Sequence, residues 1–198
     1  MNVDSPFSLL QRDFQRAKDV HDPMADFASL VTLDSEGNPS SRFVTIRSLA
    51  SEEIALIIND RSPKAVHLRV NGRYELLIFW PNLMIQYRIR GSFRIERTKD
   101  LEKEWRKKGK PSQLMDIFHS RVKQQSLPLE SHAYLLNGLT TFGQQLGIDR
   151  LPIPDSVKYL VLLPKFIEQW IGSPSDRLHK RTLFHLKEDG WHSQLLIP

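Results

Sequence analysis

Cysteine is absent from the 198 residues of this chain. Disulfides, thiolate catalysis, Cys-ligated zinc and iron–sulfur clusters are thereby excluded. Long hydrophobic runs are missing as well: no stretch approaches the roughly 18–20 uninterrupted apolar residues of a membrane span. The first 13 residues carry Asp4 and Asp13 and lack the apolar core of a signal peptide. A cytoplasmic location and no membrane partner are the expectations. Glycine-rich phosphate loops of the dinucleotide-binding or P-loop kind are not found. His21, His67, His119, His132, His185 and His192 show no metal-ligand spacing, so no metal is expected. The acidic residues show no pairing that suggests a hydrolase dyad, and there is no internal repeat or low-complexity tract.

What is present suits a folded domain. A chain of 198 residues can bury a sizeable core. Its 40% hydrophobic and 26% charged residues argue against disorder. Lys and Arg outnumber Asp and Glu by 28 to 23, a net charge of +5 that points to an anionic partner. Nucleic acid would want a basic stripe with stacking aromatics. Its best support is the run of residues 103–110, with Lys103, Arg106, Lys107 and Lys108, which a solvated helix explains equally well. A small phosphorylated partner needs only a few cations at defined strand ends, and no nucleic acid is expected.

Periodicity predicts a helix over residues 4–21, started by Asp4-Ser5-Pro6, with Phe7, Leu10, Phe14 and Ala17 on one face. Strands are predicted at 27–33 and 41–48, joined as a hairpin, and at 54–58, 74–79 and 85–96. A short helix over 64–70 separates the third of these from the fourth. Residues 98–125 read as helical with a break at Gly109-Lys110-Pro111, and a second helix covers 130–146. Strands follow at 159–163, 167–170, 178–186 and 191–197. Short strands with regular turns plus a few helices predict a mainly β fold with helical additions, a β-barrel.

Several residues could carry chemistry. In a strand over 177–181, alternation places Arg177, His179 and Arg181 on one face, two guanidiniums flanking an imidazole. A solvated edge strand with scattered charges is the alternative. Along residues 42–47, Arg42, Val44 and Ile46 share one face and Phe43, Thr45 and Arg47 the other, with cations at both ends. Snorkelling arginines on a barrel strand explain this as well. Ser62-Pro63-Lys64 sets a hydroxyl and an ammonium at a loop-to-helix junction, fit for a phosphate or merely a helix cap. Gln86, Gln125 and Ser126 could bond the polar edge of a heterocycle. Trp170 could flank one, or simply fill the core.

These elements occur in one order, and in that order the chain resembles the pyridoxamine 5′-phosphate oxidase family over residues 28–198. The resemblance rests on Gly37-Asn38-Pro39-Ser40-Ser41-Arg42-Phe43-Val44, Ser62-Pro63-Lys64 and Phe79-Trp80-Pro81 with Gln86-Tyr87-Arg88-Ile89-Arg90-Gly91. It continues in Ser112-Gln113, Gln125-Ser126, Ile167-Glu168-Gln169-Trp170 and Arg177-Leu178-His179-Lys180-Arg181, and closes on Trp191 and Leu196-Ile197-Pro198. It implies an FMN-binding split β-barrel working as a homodimer. One domain would span the chain, with a helical segment at 1–25, a helical insertion at 98–150 and dimerisation strands at 155–198.

By the same resemblance, Arg42, Ser62 and Lys64 would hold the FMN phosphate. The strand with Val44, Thr45 and Arg47 would run beside the flavin, with Ile57 and Ile58 touching it from the next strand. Gln86, Gln125, Ser126, Trp170 and Arg181 would complete the cofactor site. Arg177 and His179 would be the catalytic pair, contacting substrate together with Arg47, Lys108 and Ser112. The implied reaction is hydride transfer from a small phosphorylated or aromatic substrate to FMN, with oxygen as reoxidant, as in pyridoxal phosphate biosynthesis. The chain departs from the family pattern in four places. Arg47 replaces a usual lysine, and Pro63 a usual arginine. Glu104 and Lys108 stand where a substrate phosphate is usually held by a tyrosine and an arginine. The spacing from Trp170 to Arg177 is one residue longer. A flavin oxidase of another substrate, as in phenazine biosynthesis, and a non-catalytic flavin-binding protein are the alternatives.

Overall fold

The computed structural model describes residues 2–3, 5–146 and 151–198. Asp4, part of the expected helix start, lies outside them. The chain forms two compact units, one of Met1–Leu56, His67–Arg94 and Val161–Pro198, the other of Ile57–Val66 and Ile95–Leu160.

The first unit holds most of a nine-stranded sheet. Its strands are β1 (Asn2–Val3), β2 (Phe27–Leu33), β3 (Pro39–Ala50), β4 (Glu53–Asn59), β5 (Tyr74–Trp80), β6 (Ile85–Glu96), β7 (Val157–Ile171), β8 (Lys180–Lys187) and β9 (Gly190–Leu196). They lie in the order β1-β9-β8-β7-β4-β3-β2-β5-β6, and β6 pairs back onto β7. Six strands therefore close into a barrel, from which β8, β9 and β1 extend. Period-2 alternation fills the interior: Leu30, Leu56, Leu76, Ile78 and Ile89 are fully buried.

The closing contact depends on a missing side chain. A β-carbon at Gly91 of β6 would sit 2.0 Å from the Leu163 carbonyl oxygen and 2.8 Å from the Lys165 amide nitrogen on β7. Only glycine permits that approach. Residues 159–163 and 167–170 were expected as two strands, and this needs correcting: they form the single strand β7. Pro164 between them loses a donor, but its fixed φ suits extended chain.

Helix α1 (Phe7–Asp19) contributes Phe7, Leu10 and Ala17 to the core, as the periodicity predicts. It also buries Asp13 completely. The Asp13 carboxylate accepts from the Tyr87 hydroxyl at 2.7 Å, the Gln169 amide at 3.0 Å and the Arg16 guanidinium at 3.0 Å. A buried carboxylate is tolerated because its lone pairs are satisfied in this way. Burial, and next the bond to Asp13, hold the Tyr87 phenol well above its ordinary pKa.

Helix α2 (Pro63–Asn71) starts in the second unit and ends in the first. The second unit also carries α3 (Leu101–Arg106), α4 (Lys110–Arg121) and α5 (His132–Leu146). The break expected at Gly109 falls between α3 and α4. The Gln113 amide closes it by donating to the Lys108 carbonyl at 2.8 Å and the Arg106 carbonyl at 3.2 Å. No described helix is long and apolar enough to cross a membrane.

Replacing Gly91 with alanine tests the closing contact. Backbone atoms on β7 cannot rotate away, so Gly91→Ala should cost about 3 kcal/mol, the upper range for overpacking. Denaturant unfolding checks this. An unchanged midpoint would mean that β6 and β7 separate more easily than their spacing shows.

Candidate functional site

Arg42 lies on β3 opposite Leu30 of β2. Its guanidinium donates to the Leu30 carbonyl and the Thr32 hydroxyl, both at 2.8 Å, and to the Ser40 hydroxyl at 2.6 Å. The Thr32 hydroxyl also bonds His67 Nδ1 at 3.1 Å. All of these partners are neutral oxygens, and among the described residues Arg42 meets no carboxylate. Burial alone pushes its pKa down from the ordinary arginine value. A half-buried cation oriented by neutral acceptors retains its attraction for an anion.

Arg47 is placed by a bulge. Ile46 pairs with Leu56 and Ser48 with Ala55, leaving Arg47 as the extra residue on β3. This corrects the expected alternation, because the bulge takes Arg47 out of register with Phe43 and Thr45. Its Nε is buried and has no hydrogen-bond partner among the described residues. A buried donor left open in this way is costly unless something else binds it.

At the end of β7, Trp170 meets His179 with ring centroids 4.8 Å apart. Trp170 pairs with Arg181 of β8 in the sheet register. Arg181 is committed: its Nε donates to Glu168 at 3.0 Å and its Nη1 to the Ile197 carbonyl at 2.9 Å. Glu168 also faces Arg88 at 3.5 Å, and Arg88 makes a two-point bond to Glu75 at 3.1 Å. A ladder of alternating charges thus crosses the sheet. The bond to Glu75 raises the Arg88 pKa.

The strand expected over 178–186 begins instead at Lys180. Arg177 and His179 lie in the preceding turn, so strand alternation does not set their directions. Arg177 is left-handed, with φ of 59°. The Asp176 carboxylate takes the Leu178 amide at 2.9 Å and diverts the chain from a ladder. Gln86 is half-buried on β6.

In the second unit, the Ser62 hydroxyl donates to the Asn59 carbonyl at 2.6 Å and accepts from Lys64 Nζ at 3.2 Å. Gln124 donates to the Arg61 carbonyl at 2.9 Å and ties the segment bearing Gln125 and Ser126 to this loop. Ser126 has a positive φ of 68°. Ile57 and Ile58 precede the loop on β4. Lys108 is engaged, with Nζ 2.5 Å from Asp116, a carboxylate that also accepts from Trp105 Nε1 at 2.8 Å. Glu104 pairs with Lys107 at 2.6 Å. Ser112 is exposed in the first turn of α4. Among the described residues no cluster of His, Asp or Glu could hold a metal.

Sequence reasoning missed Gly172, Ser173 and Asp176. A β-carbon at Gly172 would meet the Trp170 ring at 2.8 Å and Met84 at 3.0 Å. The legible signal was Ser-x-x-Asp-x-Leu, a pattern of local side-chain to backbone bonds.

The profile described as "Pyridoxamine 5'-phosphate oxidase" matches residues 23–132, more than half of the chain. The chain belongs to the pyridoxamine 5′-phosphate oxidase family. It is accordingly an oxidoreductase of that family. The pyridoxine/pyridoxamine 5′-phosphate oxidase of Alteromonas mediterranea is 31% identical over 98% of this chain and 90% of its own. That of Anaeromyxobacter dehalogenans is 32% identical over 90% and 86%. Among solved structures, PhzG from Burkholderia lata, in complex with tetrahydrophenazine-1-carboxylic acid, superposes with a TM-score of 0.86 at 26% identity. The match covers 99% of this chain and 94% of that one. A pyridoxamine 5′-phosphate oxidase-related, FMN-binding protein of Nostoc punctiforme shares the fold, with a TM-score of 0.73 at 18% identity over the whole of both chains.

The family's oxidases handle small phosphorylated or aromatic compounds, and Arg42 offers a direct test of anion binding here. Arg42→Met should cost the flavin-free protein about 2–3 kcal/mol, because three hydrogen bonds from a guanidinium to neutral oxygens are lost. If the anion that it holds is an FMN phosphate, the same change weakens FMN binding by about tenfold or more. Thermal melts with and without added FMN separate the two effects. A loss without FMN well beyond that range would make Arg42 a structural residue.

Proposed function

We propose that the chain is an FMN-dependent oxidase of a small aromatic substrate and works as a homodimer. The observation that carries this reading is Arg42, a half-buried guanidinium bonded to neutral oxygens and, among the described residues, facing no carboxylate. The buried Nε of Arg47, without a hydrogen-bond partner among the described residues, supports it. Both cations fit an anionic, planar cofactor.

By the family resemblance, Arg42, Ser62 and Lys64 would hold the FMN phosphate, Val44, Thr45, Arg47, Ile57 and Ile58 would serve the flavin ring, and Gln86, Gln125, Ser126, Trp170 and Arg181 would complete the cofactor contacts. When bound, FMN would supply the hydride acceptor, and oxygen would be the reoxidant, yielding hydrogen peroxide. The protein's own part is binding and orientation. Arg177 and His179 donate hydrogen bonds to the substrate and fix the carbon that loses hydride. Trp170 backs the His179 ring. The Glu168 carboxylate holds Arg181 in place.

Pyridoxine or pyridoxamine 5′-phosphate is the first substrate to try. A reduced phenazine-type carboxylic acid is a second, favoured by one observation: Asp116 already occupies Lys108, a cation at the expected substrate-phosphate position. The similarity to the Burkholderia lata protein agrees with it.

The purified protein should show a flavin absorbance spectrum, and anaerobic addition of the true substrate should bleach it until air is admitted. Bleaching by a B6 phosphate selects the first substrate. Bleaching only by the reduced phenazine acid selects the second. A flavin spectrum inert to both would leave a binding role, and no flavin even after added FMN would overturn the proposal.

The dimer has its own support. Phe43 is 70% exposed, Leu178 73%, Leu195 74% and Ile197 89%. Exposed apolar side chains mark a partner surface where they lie contiguously. Light scattering should give twice the 23.0 kDa chain mass, and Phe43→Glu should shift it toward the monomer.

A further inference from the structure

We propose that residues 173–179 form a preorganised turn that holds His179 as a hydrogen-bond donor, with its ring proton on Nε2, and that Asp176 is the positioning residue that keeps it so. The backbone N–H of Ser173 donates to His179 Nδ1 at 3.0 Å. A ring nitrogen that accepts carries no proton, so the hydrogen of the neutral imidazole sits on Nε2. Among the described residues Nε2 meets no acceptor.

One carboxylate fixes both ends of this turn. Asp176 Oδ1 accepts from the Ser173 hydroxyl at 2.5 Å and from the Leu178 amide at 2.9 Å. The Arg177 amide donates to the Ser173 carbonyl at 3.0 Å and the His179 amide to the Arg177 carbonyl at 2.9 Å. Ser173 is thus held with its N–H toward the ring, and His179 with its ring toward Ser173. The bonds from Ser173 and Leu178 also keep the Asp176 carboxyl below its ordinary pKa. Trp170 limits the imidazole from another side, tilted at 45°. The indole can lie there because residue 172 has no β-carbon to strike it.

The consequence is chemical. In this tautomer neither ring nitrogen is free to abstract a proton: Nδ1 is occupied and Nε2 already bears one. His179 therefore recognises rather than deprotonates. With the exposed guanidinium of Arg177 two residues before it, it selects a ligand that presents acceptor atoms, such as a carboxylate, phosphate or ring oxygen. The identity of that ligand as an oxidase substrate rests on the proposed function; the tautomer does not.

Nitrogen NMR on the full-length, 15N-labelled protein, at a pH that keeps the ring neutral, reads the tautomer without substrate or turnover. In the wild type His179 should show a proton on Nε2, none on Nδ1, and a scalar coupling across the Ser173 N–H to Nδ1 hydrogen bond. Asp176→Asn keeps an acceptor oxygen at the same place and should retain the coupling. Asp176→Ala should lose it and let the ring sample both tautomers, with the remaining spectrum unchanged. A proton on Nδ1 in the wild type, or an intact coupling in Asp176→Ala, would overturn the proposal. If Asp176→Ala fails to fold, loss of the coupling in a folded Asp176→Asn would also count against it. Flavin-free protein with the expected tautomer would fault the oxidase reading alone.

Discussion

Strand β6 reaches β7 because residue 91 has no side chain, and the barrel depends on that approach. With the Leu163 carbonyl lying where a β-carbon would be, any larger residue would push the two strands apart. Closure removes two exposed sheet edges and encloses the apolar faces of six strands. It also makes β7 the shared element of the fold: this strand pairs with β6 and β4 in the barrel and with β8 outside it. The buried Asp13 adds a polar clamp, joining α1 to Tyr87 of β6 and Gln169 of β7.

The same strand delivers chemistry at its far end. Glu168 and Trp170 are alternate residues near the end of β7, and the chain then enters the turn that sets His179. A rigid strand feeding a tightly bonded turn suits recognition, since the donor groups need little reordering when a ligand arrives. Cations elsewhere divide into two kinds. Arg88, Arg181 and Lys108 are neutralised by carboxylates and contribute to the architecture. Among the described residues Arg42 and Arg47 are not, and their charge stays available.

Much of the fold was legible in the sequence. Strands β2 and β6 lie where alternation and turn residues put them, because local periodicity and burial agree there. Around residues 164 and 178 the reading failed. Proline at 164 has a local preference that the flanking pairings override. At 178 one aspartate side chain competes for a backbone amide and delays the start of the strand to Lys180. Neither outcome can be read from hydrophobic period alone.

The sequence by itself determined the barrel's inward faces, the family and the inventory of cations, because these follow from residue type and spacing. Tertiary structure decided which cations are free. Arg181 and Lys108 read as available in the sequence, yet each lies against a carboxylate brought close by folding, 13 and 8 residues away. The bulge that isolates Arg47 and the Ser173 amide that sets the His179 tautomer are likewise matters of register and turn geometry. Charge is a property of the residue, but its availability depends on the distance to the nearest opposite charge, and only the fold fixes that distance.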